Sequence, residues 1–366
     1  MKVLHIGQMI GGLDVYIRNS ITHASGEVEY VIMHGRNDKS KPVACRGVVV
    51  KEYLTALQRI LSLKQDVKAL WEAVRIIRKE KPDVVHCHSA KGGIVGRVAG
   101  FLTHTPVLYT PHGYSFLCSS KPKVRWAYKT IERVTRLGAW MLACGESEQR
   151  LGIEEVGYSE KKALCWHNCV PQFEAPMVEA KGGRYVTIIG RPSYQKNPFL
   201  LVEVVKRVHE QLPWLKFNLL GVGYYSPDLK EMERRIAEEG LQDALLLTPW
   251  VSHEEALAQT AGSLLYMTVS RYEGLPLAVV EAMSLGKAIV ATDVVGNCDC
   301  VRDGENGRLL QMEDADGIAK AIAEIATGDA LRERYEKRSR EMYEQEFMLE
   351  KRIGMLEEIY RRFEKK

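Results

Sequence analysis

Two glutamates flank the start of a predicted helix in the second half of the chain. Glu273 lies on the loop before it, and Glu281 lies inside it, with seven residues between the two. Pro276 suits the first helical position, which leaves the amides of Gly274 and Leu275 free at the positive helix end, where phosphates bind. Carboxylates on either side of such amides can bind hydroxyl groups. The segment therefore predicts a site for a sugar joined to a nucleoside diphosphate, the alternative being two unrelated glutamates at a helix entry.

Two cations lie on another loop, directly after the strand that ends near Gly190. Arg191 and Lys196 are five residues apart, between this strand and a predicted helix. The guanidinium of Arg191 can bind a phosphate through two N–H groups, whereas the ammonium of Lys196 acts as a point charge. The pair suits a diphosphate. Two ordinary surface cations on a solvated loop are the alternative.

A glycine-rich loop follows the first predicted strand. It includes Gly11 and Gly12, whose missing side chains allow a phosphate or a sugar to approach the backbone at a helix start. The loop does not match the G-x-G-x-x-G pattern, and the second strand ends in His34-Gly35-Arg36, without an acidic residue there to bind a ribose. A nicotinamide cofactor is therefore not expected, and the sequence predicts no other cofactor.

Three histidines and a tyrosine lie at the ends of two predicted strands of the first half. His86 and His88 end one strand, and His112 and Tyr114 follow the other. Ligands of open α/β sheets collect at the carboxyl ends of strands, so we expect these side chains to contact the substrate, His112 foremost. Packing in the core is the alternative, and for His86 the two are close to even. A metal bound by His86, His88 and His112 is a weaker alternative, since no carboxylate accompanies them.

Both halves alternate short β-branched runs with helical patterns, which is typical of parallel sheets built from βαβ units. We predict an α/β protein of two doubly wound domains, residues 1–168 and 169–346, with a linker around 168–183, as a length of 366 residues suggests. Residues 347–366 form a helix that packs on the second domain or back on the first. The predicted strands are 2–6, 29–34, 84–88, 107–110, 141–144, 185–189, 216–221, 244–247, 264–267, 288–292 and 308–310.

The composition is that of a soluble globular protein, with 46% hydrophobic residues and no run of 18 apolar residues. The N-terminus reads as a first strand rather than a signal peptide, so a cytoplasmic location is expected. Eight cysteines are scattered along the chain, which indicates reduced thiols. The alternative is a metal site of Cys165, Cys169, Cys298 and Cys300, but neither pair forms a C-x-x-C.

Positive charge is concentrated in the first half. Residues 1–170 contain 25 Lys and Arg against 15 Asp and Glu, and residues 171–366 contain 26 against 32, which gives net charges of +10 and −6. No nucleic-acid-binding motif accompanies this asymmetry. It therefore favours a membrane surface or a lipid phosphate as the partner.

A predicted helix around residues 121–137 carries much of this positive charge, with Trp126 among its cations. Basic helices with aromatic residues rest on anionic membrane surfaces, so this helix predicts a peripheral membrane contact. A solvated helix over an ordinary core is the alternative. The cations proposed to contact the membrane are Lys121, Lys123, Arg125 and Lys129, and the residues available for an inner face are Val124, Ile131 and Val134.

These motifs together resemble those of the family-four retaining glycosyltransferases of GT-B fold, and the resemblance covers nearly the whole chain. It rests on Glu273 and Glu281 within Glu-Gly-Leu-Pro and its helix, and on Gly-Arg-Pro-x-x-x-Lys-Asn from Gly190. It rests also on Gly-x-Gly at Gly221 and Gly223, and on Gly-Glu-Asn-Gly at 304–307. The first half, with Asp-Val-Val-His-Cys-His-Ser from residue 83 and Tyr-Thr-Pro-His-Gly from residue 109, is similar to bacterial capsule, exopolysaccharide and O-antigen assembly enzymes.

The resemblance implies two Rossmann-like domains facing across a cleft, the second binding a nucleotide-sugar donor and the first an acceptor. Glu273 and the adjacent residues would contact the sugar, Arg191 and Lys196 would neutralise the diphosphate, and Glu281 would bind the ribose. The other implied donor contacts are Gly190, Gly274, Leu275 and Pro276, a base site at Trp250 and Val251 shaped by Gly221 and Gly223, and a diphosphate cap at Gly11 and Gly12. His112 would lie beside the reacting carbon.

The implied reaction is retaining transfer of a hexose or N-acetylhexosamine, most directly from a UDP-sugar, to a glycan or polyprenyl-diphosphate-linked acceptor. The basic helix adds the expectation that this acceptor lies at the inner membrane face. No divalent metal is expected, because the cationic loop and helix amides stabilise the leaving group. The only Asp-x-Asp, at Asp314, suits a helix cap better. A nucleotide-sugar 2-epimerase and an inactive scaffold are the alternatives. The chain departs from the family pattern at residues 166–169 and 296–300.

Overall fold

The computed structural model describes residues 1–35, 41–60, 62–173, 184–223 and 225–365. The chain forms two compact units, one of Met1–Pro171 together with Leu349–Lys366, and one of Gln172–Met348. The predicted linker at 168–183 contains the point where the units separate, and its residues 174–183 lie outside the described part.

The described strands are two to seven residues long. They are β1 (Lys2–Ile6), β2 (Glu29–Gly35), β3 (Ala44–Cys45), β4 (Val48–Val49), β5 (Lys51–Thr55), β6 (Val84–His88), β7 (Val107–Thr110), β8 (Trp140–Ala143), β9 (Ala163–Cys165), β10 (Tyr185–Ile189), β11 (Lys216–Val222), β12 (Leu245–Pro249), β13 (Leu265–Thr268), β14 (Ile289–Thr292) and β15 (Gly307–Leu310).

Helices lie between the strands and also follow the last of them. They are α1 (Gly12–Thr22), α2 (Leu63–Glu80), α3 (Ser89–Thr103), α4 (Pro122–Val134), α5 (Glu146–Leu151), α6 (Pro198–Gln211), α7 (Leu229–Glu238), α8 (His253–Ala261), α9 (Leu277–Ser284), α10 (Asn297–Cys300), α11 (Ala315–Thr327), α12 (Asp329–Met342) and α13 (Leu349–Arg361).

In the first unit, seven of the described strands form a parallel sheet in the order β5-β2-β1-β6-β7-β8-β9. The order reverses between β1 and β6, where His5 pairs with His86. The carboxyl ends of strands at such a reversal form a crevice that binds ligands in doubly wound folds. The histidine-bearing ends of β1 and β6 therefore lie at the crevice of this sheet.

Helix α3 packs closely on the strands that carry the histidines. A Cβ on Gly93 would lie 2.3 Å from the ring of Tyr109, and one on Gly96 would lie 2.4 Å from Cβ of Cys87. Larger residues at these positions would push the helix away from β6 and β7. Gly93 and Gly96 thus allow α3 to lie close to β6 and β7, the strands that end in the histidine loops.

The last helix, α13, belongs to the first unit. Its apolar residues Leu349, Leu356 and Tyr360 are buried. Glu357 accepts hydrogen bonds from the backbone N–H and the hydroxyl of Ser25, at 2.8 and 2.9 Å. The helical spacing of the apolar residues predicted an inner face, and this face covers the sheet of the first unit.

In the second unit, six of the described strands form a parallel sheet in the order β12-β11-β10-β13-β14-β15. This is the strand order of a doubly wound sheet built from two βαβαβ halves, each of the mononucleotide-binding type. The order reverses between β10 and β13, so the loops after these two strands meet at the crevice. The predicted class, an α/β protein of two doubly wound Rossmann-like halves, is confirmed.

Two smaller expectations are also met. The eight cysteines are free thiols. Asp314 caps α11 by accepting a hydrogen bond from the amide of Gly317 at 2.8 Å. Among the described residues, no helix combines the length and the apolar character that crossing a membrane requires.

Candidate active site

The carboxylate of Glu273 is held by two side chains from the loop after β10. Lys196 Nζ lies 2.7 Å from Glu273 Oε1, and Gln195 Nε2 donates a hydrogen bond to Oε2 at 3.0 Å. Glu273 is only 7% exposed. The structure thus brings together the carboxylate predicted for the sugar and a cation predicted for the diphosphate. Gln195 was missed, because an uncharged amide on a loop gives no signal of its own.

Two glycines permit this close packing. A Cβ on Gly190 would lie 3.0 Å from Cγ and Cδ of Lys196. A Cβ on Gly296 would lie 2.8 Å from Cβ of Glu273, and the φ of Gly296 is +86°, a conformation that favours glycine. The absence of a side chain at Gly190 therefore leaves room for the aliphatic part of the Lys196 side chain. Gly296, which marked only a departure from the family pattern, supports the loop that presents Glu273.

Helix α9 begins at Leu277, one residue later than predicted, with Pro276 as the residue before it. Leu275 is buried, and the amide of Glu273 donates to the carbonyl of Val295 at 2.9 Å. The loop that carries Glu273 is therefore anchored on the loop after β14. Its geometry is set by backbone contacts that the sequence does not reveal.

The second glutamate, Glu281, has a partner that the sequence did not indicate. His253 Nε2 donates a hydrogen bond to Glu281 Oε1 at 2.7 Å, and this bond raises the pKa of His253 above its ordinary value. Glu281 is 6% exposed. Ser252 caps α8 by accepting from the amide of Glu255, which places His253 at the first position of this helix. Glu281 and His253 are 28 residues apart, so spacing could not predict the pair.

The residues predicted for the base lie at the same edge of the second sheet. Gly221 and Gly223 have φ values of +96° and +125° at the end of β11. Trp250 is 57% exposed directly after β12, and Val251 beside it is partly buried. Arg191 lines a small cavity with Gly190, Lys196, Thr268 and Val269, at the ends of β10 and β13.

In the first unit, the predicted glycine loop lies between β1 and α1. Gly11 has a φ of +61°, and Gly12 is the first residue of α1. A Cβ on Gly7 would lie 3.2 Å from Cβ of His88, so the loop also packs on the histidines.

The histidines of the first unit form a hydrogen-bonded row. His5 Nδ1 lies 2.9 Å from His88 Nε2, and His88 Nδ1 lies 3.1 Å from His112 Nε2. His112 Nδ1 lies 3.3 Å from Cys144 Sγ. His112 also has a φ of +52°, a strained conformation for a residue with a side chain and one that is concentrated at functional sites.

Three of the four residues predicted to contact the acceptor are completely buried, which favours the packing alternative for them. His86 is completely buried, and its ring nitrogens bond to the hydroxyls of Tyr360 and Thr110, both at 2.8 Å. Tyr114 is completely buried, with its hydroxyl 3.2 Å from Met141 Sδ. His88 is equally enclosed and contacts other histidines. Position at a strand end does not reveal which face of the sheet each side chain occupies. Of the four residues, only His112 is partly exposed.

Burial also sets the ionisation of these imidazoles. It lowers the pKa of His5 and of His112 to about 3, and it lowers the pKa of His86 and His88 well below the ordinary value. The charged form of a buried imidazole loses hydration without compensation, so the neutral form is favoured. The row is uncharged at neutral pH.

Two groups of side chains among the described residues have the spacing of metal ligands. His5, His86 and His88 form one, and Glu146, Cys165 and His167 form the other. Neither is the predicted alternative of His86, His88 and His112. The first contains no carboxylate to offset an ion's charge in the core. In the second, His167 Nε2 lies 2.7 Å from Glu146 Oε2, and this bond lowers the pKa of Glu146.

Helix α4 presents a different face from the one predicted. Ile131 and Val134, expected inside, are 41% and 69% exposed, and Trp126 is 69% exposed. The inner position is occupied by Glu132, which pairs with Arg97 at 2.9 Å. The sequence could not indicate this reversal, because the partner of Glu132 is 35 residues away.

The predicted membrane cations divide into two kinds. Lys121, Lys123 and Arg125 are exposed, whereas Lys129 pairs with Glu155 and lies over the ring of Phe116. A second exposed apolar row, which was not predicted, lies on α2. It consists of Leu63, Val67 and Trp71, which are 83%, 46% and 62% exposed.

Two family models match the chain in succession. The model described as Glycosyltransferase Family 4 matches residues 10–172, and the model described as Glycosyl transferases group 1 matches residues 172–342. The chain belongs to the family-four glycosyltransferases. The two matches meet at the point where the two units separate.

Curated relatives of this glycosyltransferase cover most of its length. A UDP-Gal:alpha-D-GlcNAc-diphosphoundecaprenol alpha-1,3-galactosyltransferase of Escherichia coli is 28% identical over 84% of this chain and 82% of the relative. The capsular polysaccharide biosynthesis glycosyltransferase CapM of Staphylococcus aureus is 22% identical over 95% of this chain and 96% of the relative. Since these relatives are transferases, the comparison does not favour the 2-epimerase alternative.

Solved structures share the fold of this glycosyltransferase. Sucrose-phosphate synthase of Thermosynechococcus elongatus superposes with a TM-score of 0.84 at 16% identity, over 99% of this chain and 98% of that chain. HepE of Anabaena, solved with UDP and glucose, gives a TM-score of 0.78 at 18% identity, over 98% and 99%. These likenesses confirm the predicted GT-B fold.

Proposed function

We propose that this chain is a retaining glycosyltransferase of bacterial surface polysaccharide synthesis. It transfers a hexose or N-acetylhexosamine from a UDP-sugar to a polyprenyl-diphosphate-linked sugar. The observation that carries the proposal is the contact between Lys196 and Glu273 beside the start of α9. The Escherichia coli relative supports it, because its name states a UDP-sugar donor and a diphosphoundecaprenol acceptor.

Cleavage of the donor leaves negative charge on the diphosphate. Lys196 and Arg191 supply positive charge to it, and the start of α9 adds the positive end of a helix dipole. These groups are fixed before the reaction, so they need little reorganisation as the charge develops. In this mechanism the leaving group needs no divalent cation.

The donor exchanges partners with the protein as it binds. Its phosphates draw the ammonium of Lys196 away from Glu273, and the freed carboxylate accepts hydrogen bonds from sugar hydroxyls. At the other end of the donor, Glu281 accepts from the ribose through Oε2, because Oε1 is held by His253. The donor thus replaces an internal ion pair with two sets of its own contacts.

Retention of configuration follows from a front-face route. The acceptor hydroxyl attacks the anomeric carbon from the side on which UDP departs, and a departing phosphate oxygen takes its proton. The new bond then has the orientation of the broken one. His112 belongs to the acceptor side of this reaction, in the first unit.

The acceptor lipid explains the surface of α4. Exposed Trp126 and Val134 insert apolar groups at the lipid boundary, while Lys121, Lys123 and Arg125 attract anionic head groups. We therefore propose that the enzyme acts as a peripheral protein at the inner face of the cell membrane.

The decisive experiment is an assay of the purified full chain. A panel of UDP-hexoses and UDP-N-acetylhexosamines is incubated with an N-acetylglucosamine-diphosphate-polyprenol, with and without EDTA, and the product linkage is determined by NMR. An α-linked disaccharide lipid formed equally in EDTA supports the proposal. A β-linked product contradicts retention, and loss of transfer in EDTA contradicts metal independence.

The same assay separates transfer from epimerisation. Incubation of the donors without acceptor gives no altered sugar if the enzyme is a transferase. Release of an epimerised sugar with UDP, and no glycolipid, would establish the epimerase instead.

A further inference from the structure

Both ring nitrogens of His112 are occupied by protein atoms. Nε2 lies 3.1 Å from Nδ1 of His88, and Nδ1 lies 3.3 Å from Sγ of Cys144. His88 is bonded in turn to His5 through its other nitrogen, at 2.9 Å. A neutral imidazole has one N–H and one lone pair, so each link constrains the next.

Only two arrangements of protons satisfy all the links. In the first, each histidine carries its proton on Nδ1, so that His5 donates to His88, His88 to His112, and His112 to the sulfur of Cys144. In the second, each carries it on Nε2, the direction is reversed, and the thiol must donate to His112. The two arrangements leave opposite groups at the far end of the row.

That far end decides between them. Among the described residues, Nε2 of His5 has no hydrogen-bond partner, and His5 is completely buried. The first arrangement leaves a lone pair there, whereas the second leaves a buried N–H without an acceptor. Unpaired buried donors are rarer than under-used acceptors, and a thiol is a weak donor. The first arrangement is therefore favoured.

We propose that His88 is a positioning residue for His112: together with Cys144 it fixes the imidazole of His112 as the neutral Nδ1–H tautomer, which supports sugar transfer without exchanging a proton. This inference rests on the proposed function for the role of His112 in transfer. The tautomer itself is a property of the protein alone.

The surroundings keep the ring uncharged. Glu148 accepts hydrogen bonds from the amides of Gly113 at 2.6 Å and Cys144 at 2.8 Å, and it also interacts with the thiol of Cys144. Burial lowers the pKa of His112 to about 3. The titratable groups that face the ring from the packed elements are Tyr16 of α1, His5 of β1, His86 and His88 of β6, Cys144 after β8 and Glu148 of α5.

The first test uses NMR of the full chain labelled with ¹⁵N-histidine, without substrate. The signals of His112 are assigned by their loss in the His112→Asn variant. We expect a protonated Nδ1 and an unprotonated Nε2, unchanged between about pH 5 and pH 8, where an ordinary histidine titrates. A protonated Nε2, or titration within this range, overturns the proposal whatever the enzyme transfers.

The second test compares His88→Asn with His88→Gln, whose amide groups lie at different distances from the backbone. The amide group of His88→Asn lies where Nδ1 of histidine lies and keeps the bond to His112, whereas that of His88→Gln lies near Nε2 and loses it. We expect His88→Gln to lower kcat/KM by roughly 10²-fold, as misplaced groups do, with a further decline at low pH. His88→Asn keeps most of the activity and a flat pH profile.

The two tests fail in different ways. Equal kcat/KM and equal pH profiles for the folded Asn and Gln variants would assign His88 a structural role only and overturn the positioning role. If either variant does not fold, Cys144→Ser, which preserves size and hydrogen bonding, must keep the wild-type His112 spectrum, and a changed tautomer in it overturns the proposal. Absence of transfer in the wild type, with the expected NMR spectrum, would count against the proposed function alone.

Discussion

Lys196 and Glu273 form an ion pair of 2.7 Å in which the carboxylate is nearly enclosed and the ammonium is partly open. The pair joins the loops after β10 and β13, the two strands between which the sheet order reverses. Each residue is thus the charged partner of the other. Removal of either side chain therefore also deprives the other of its charged partner.

Replacement of Glu273 by glutamine should separate binding from transfer. We expect Glu273→Gln to lower the transfer rate by roughly 10²–10³-fold, because a contact made in the transition state is lost. The Kd for UDP should stay the same or fall, because Lys196 no longer binds a carboxylate. Calorimetry with UDP and a transfer assay measure the two effects.

Glu239→Gln is the matched control, since Glu239 forms a 2.6 Å ion pair with Lys206 elsewhere on the second unit. It should change neither quantity. A folded Glu273→Gln variant that no longer binds UDP would show that Glu273 contacts the nucleotide rather than the sugar.

Replacement of Lys196 should weaken nucleotide binding itself. A hydrogen bond to a charged group contributes about 1.5–3 kcal/mol, so Lys196→Ala should raise the Kd for UDP roughly 10- to 100-fold and lower transfer at least as much. Lys206→Ala is the control and should leave both unchanged. UDP affinity equal to that of the wild type in Lys196→Ala would exclude contact with the diphosphate.

The sequence predicted the elements of this fold better than the environment of its side chains. The runs at Lys2–Ile6 and Val84–His88 each contain three apolar residues within five, and their predicted bounds agree with the structure. The edge strand Lys51–Thr55 was missed, because only one of its residues is fully buried and its pattern lacks such a run.

The candidate site shows the same division. Glu273 and Lys196 were predicted, because their loops contain local patterns of glycine, proline and charge. His253 was missed and the burial of Tyr114 was not predicted, because each depends on a partner that is distant in the chain. Contacts of this kind are set by the tertiary fold and leave no trace in local spacing.

The buried ion pair of Arg97 and Glu132 predicts that the stability of the fold depends on the charge of Glu132, a residue of α4. Their side chains are 0% and 1% exposed, and Tyr109 donates to the same carboxylate at 3.1 Å. Removal of one partner of a buried pair costs about 3–5 kcal/mol, so Glu132→Ala should lower the free energy of unfolding by about this amount. Urea denaturation followed by circular dichroism measures it.

Glu155→Ala removes the partly exposed partner of Lys129, which lies on α4, and is the comparison. Exposed pairs contribute about 0–1 kcal/mol, so this variant should be close to the wild type. A cost for Glu132→Ala no larger than that for Glu155→Ala would mean that the inner face of α4 does not depend on the pair.

The bond between His253 and Glu281 predicts a pH-dependent stability. Because the pKa of His253 is raised in the folded chain, the pair stabilises the fold at low pH, and this contribution is lost as pH rises through the raised pKa. The Tm of the wild type should therefore exceed that of His253→Gln at about pH 6, below the ordinary histidine pKa, and the difference should shrink as pH rises through the raised pKa of His253. Glu281→Gln should abolish this difference, and a gap that instead grows with pH would contradict the assignment.

The membrane proposal predicts which of two exposed faces of the first unit binds lipid. Each cation near an anionic surface contributes about 1 kcal/mol, so replacing Lys121, Lys123 and Arg125 together by serine should weaken co-sedimentation with phosphatidylglycerol vesicles roughly 100-fold and leave UDP affinity unchanged. Trp126→Ser should weaken it further, because the indole is 69% exposed beside these cations.

A matched variant replaces Lys64, Lys68 and Arg75 on α2, where Trp71 is exposed, and a second one replaces Lys206, Lys320 and Lys337 in the second unit. We expect both to bind vesicles like the wild type. Loss of binding in the α2 variant alone would move the lipid contact to α2, and equal loss in all three would reduce it to net charge without a defined surface.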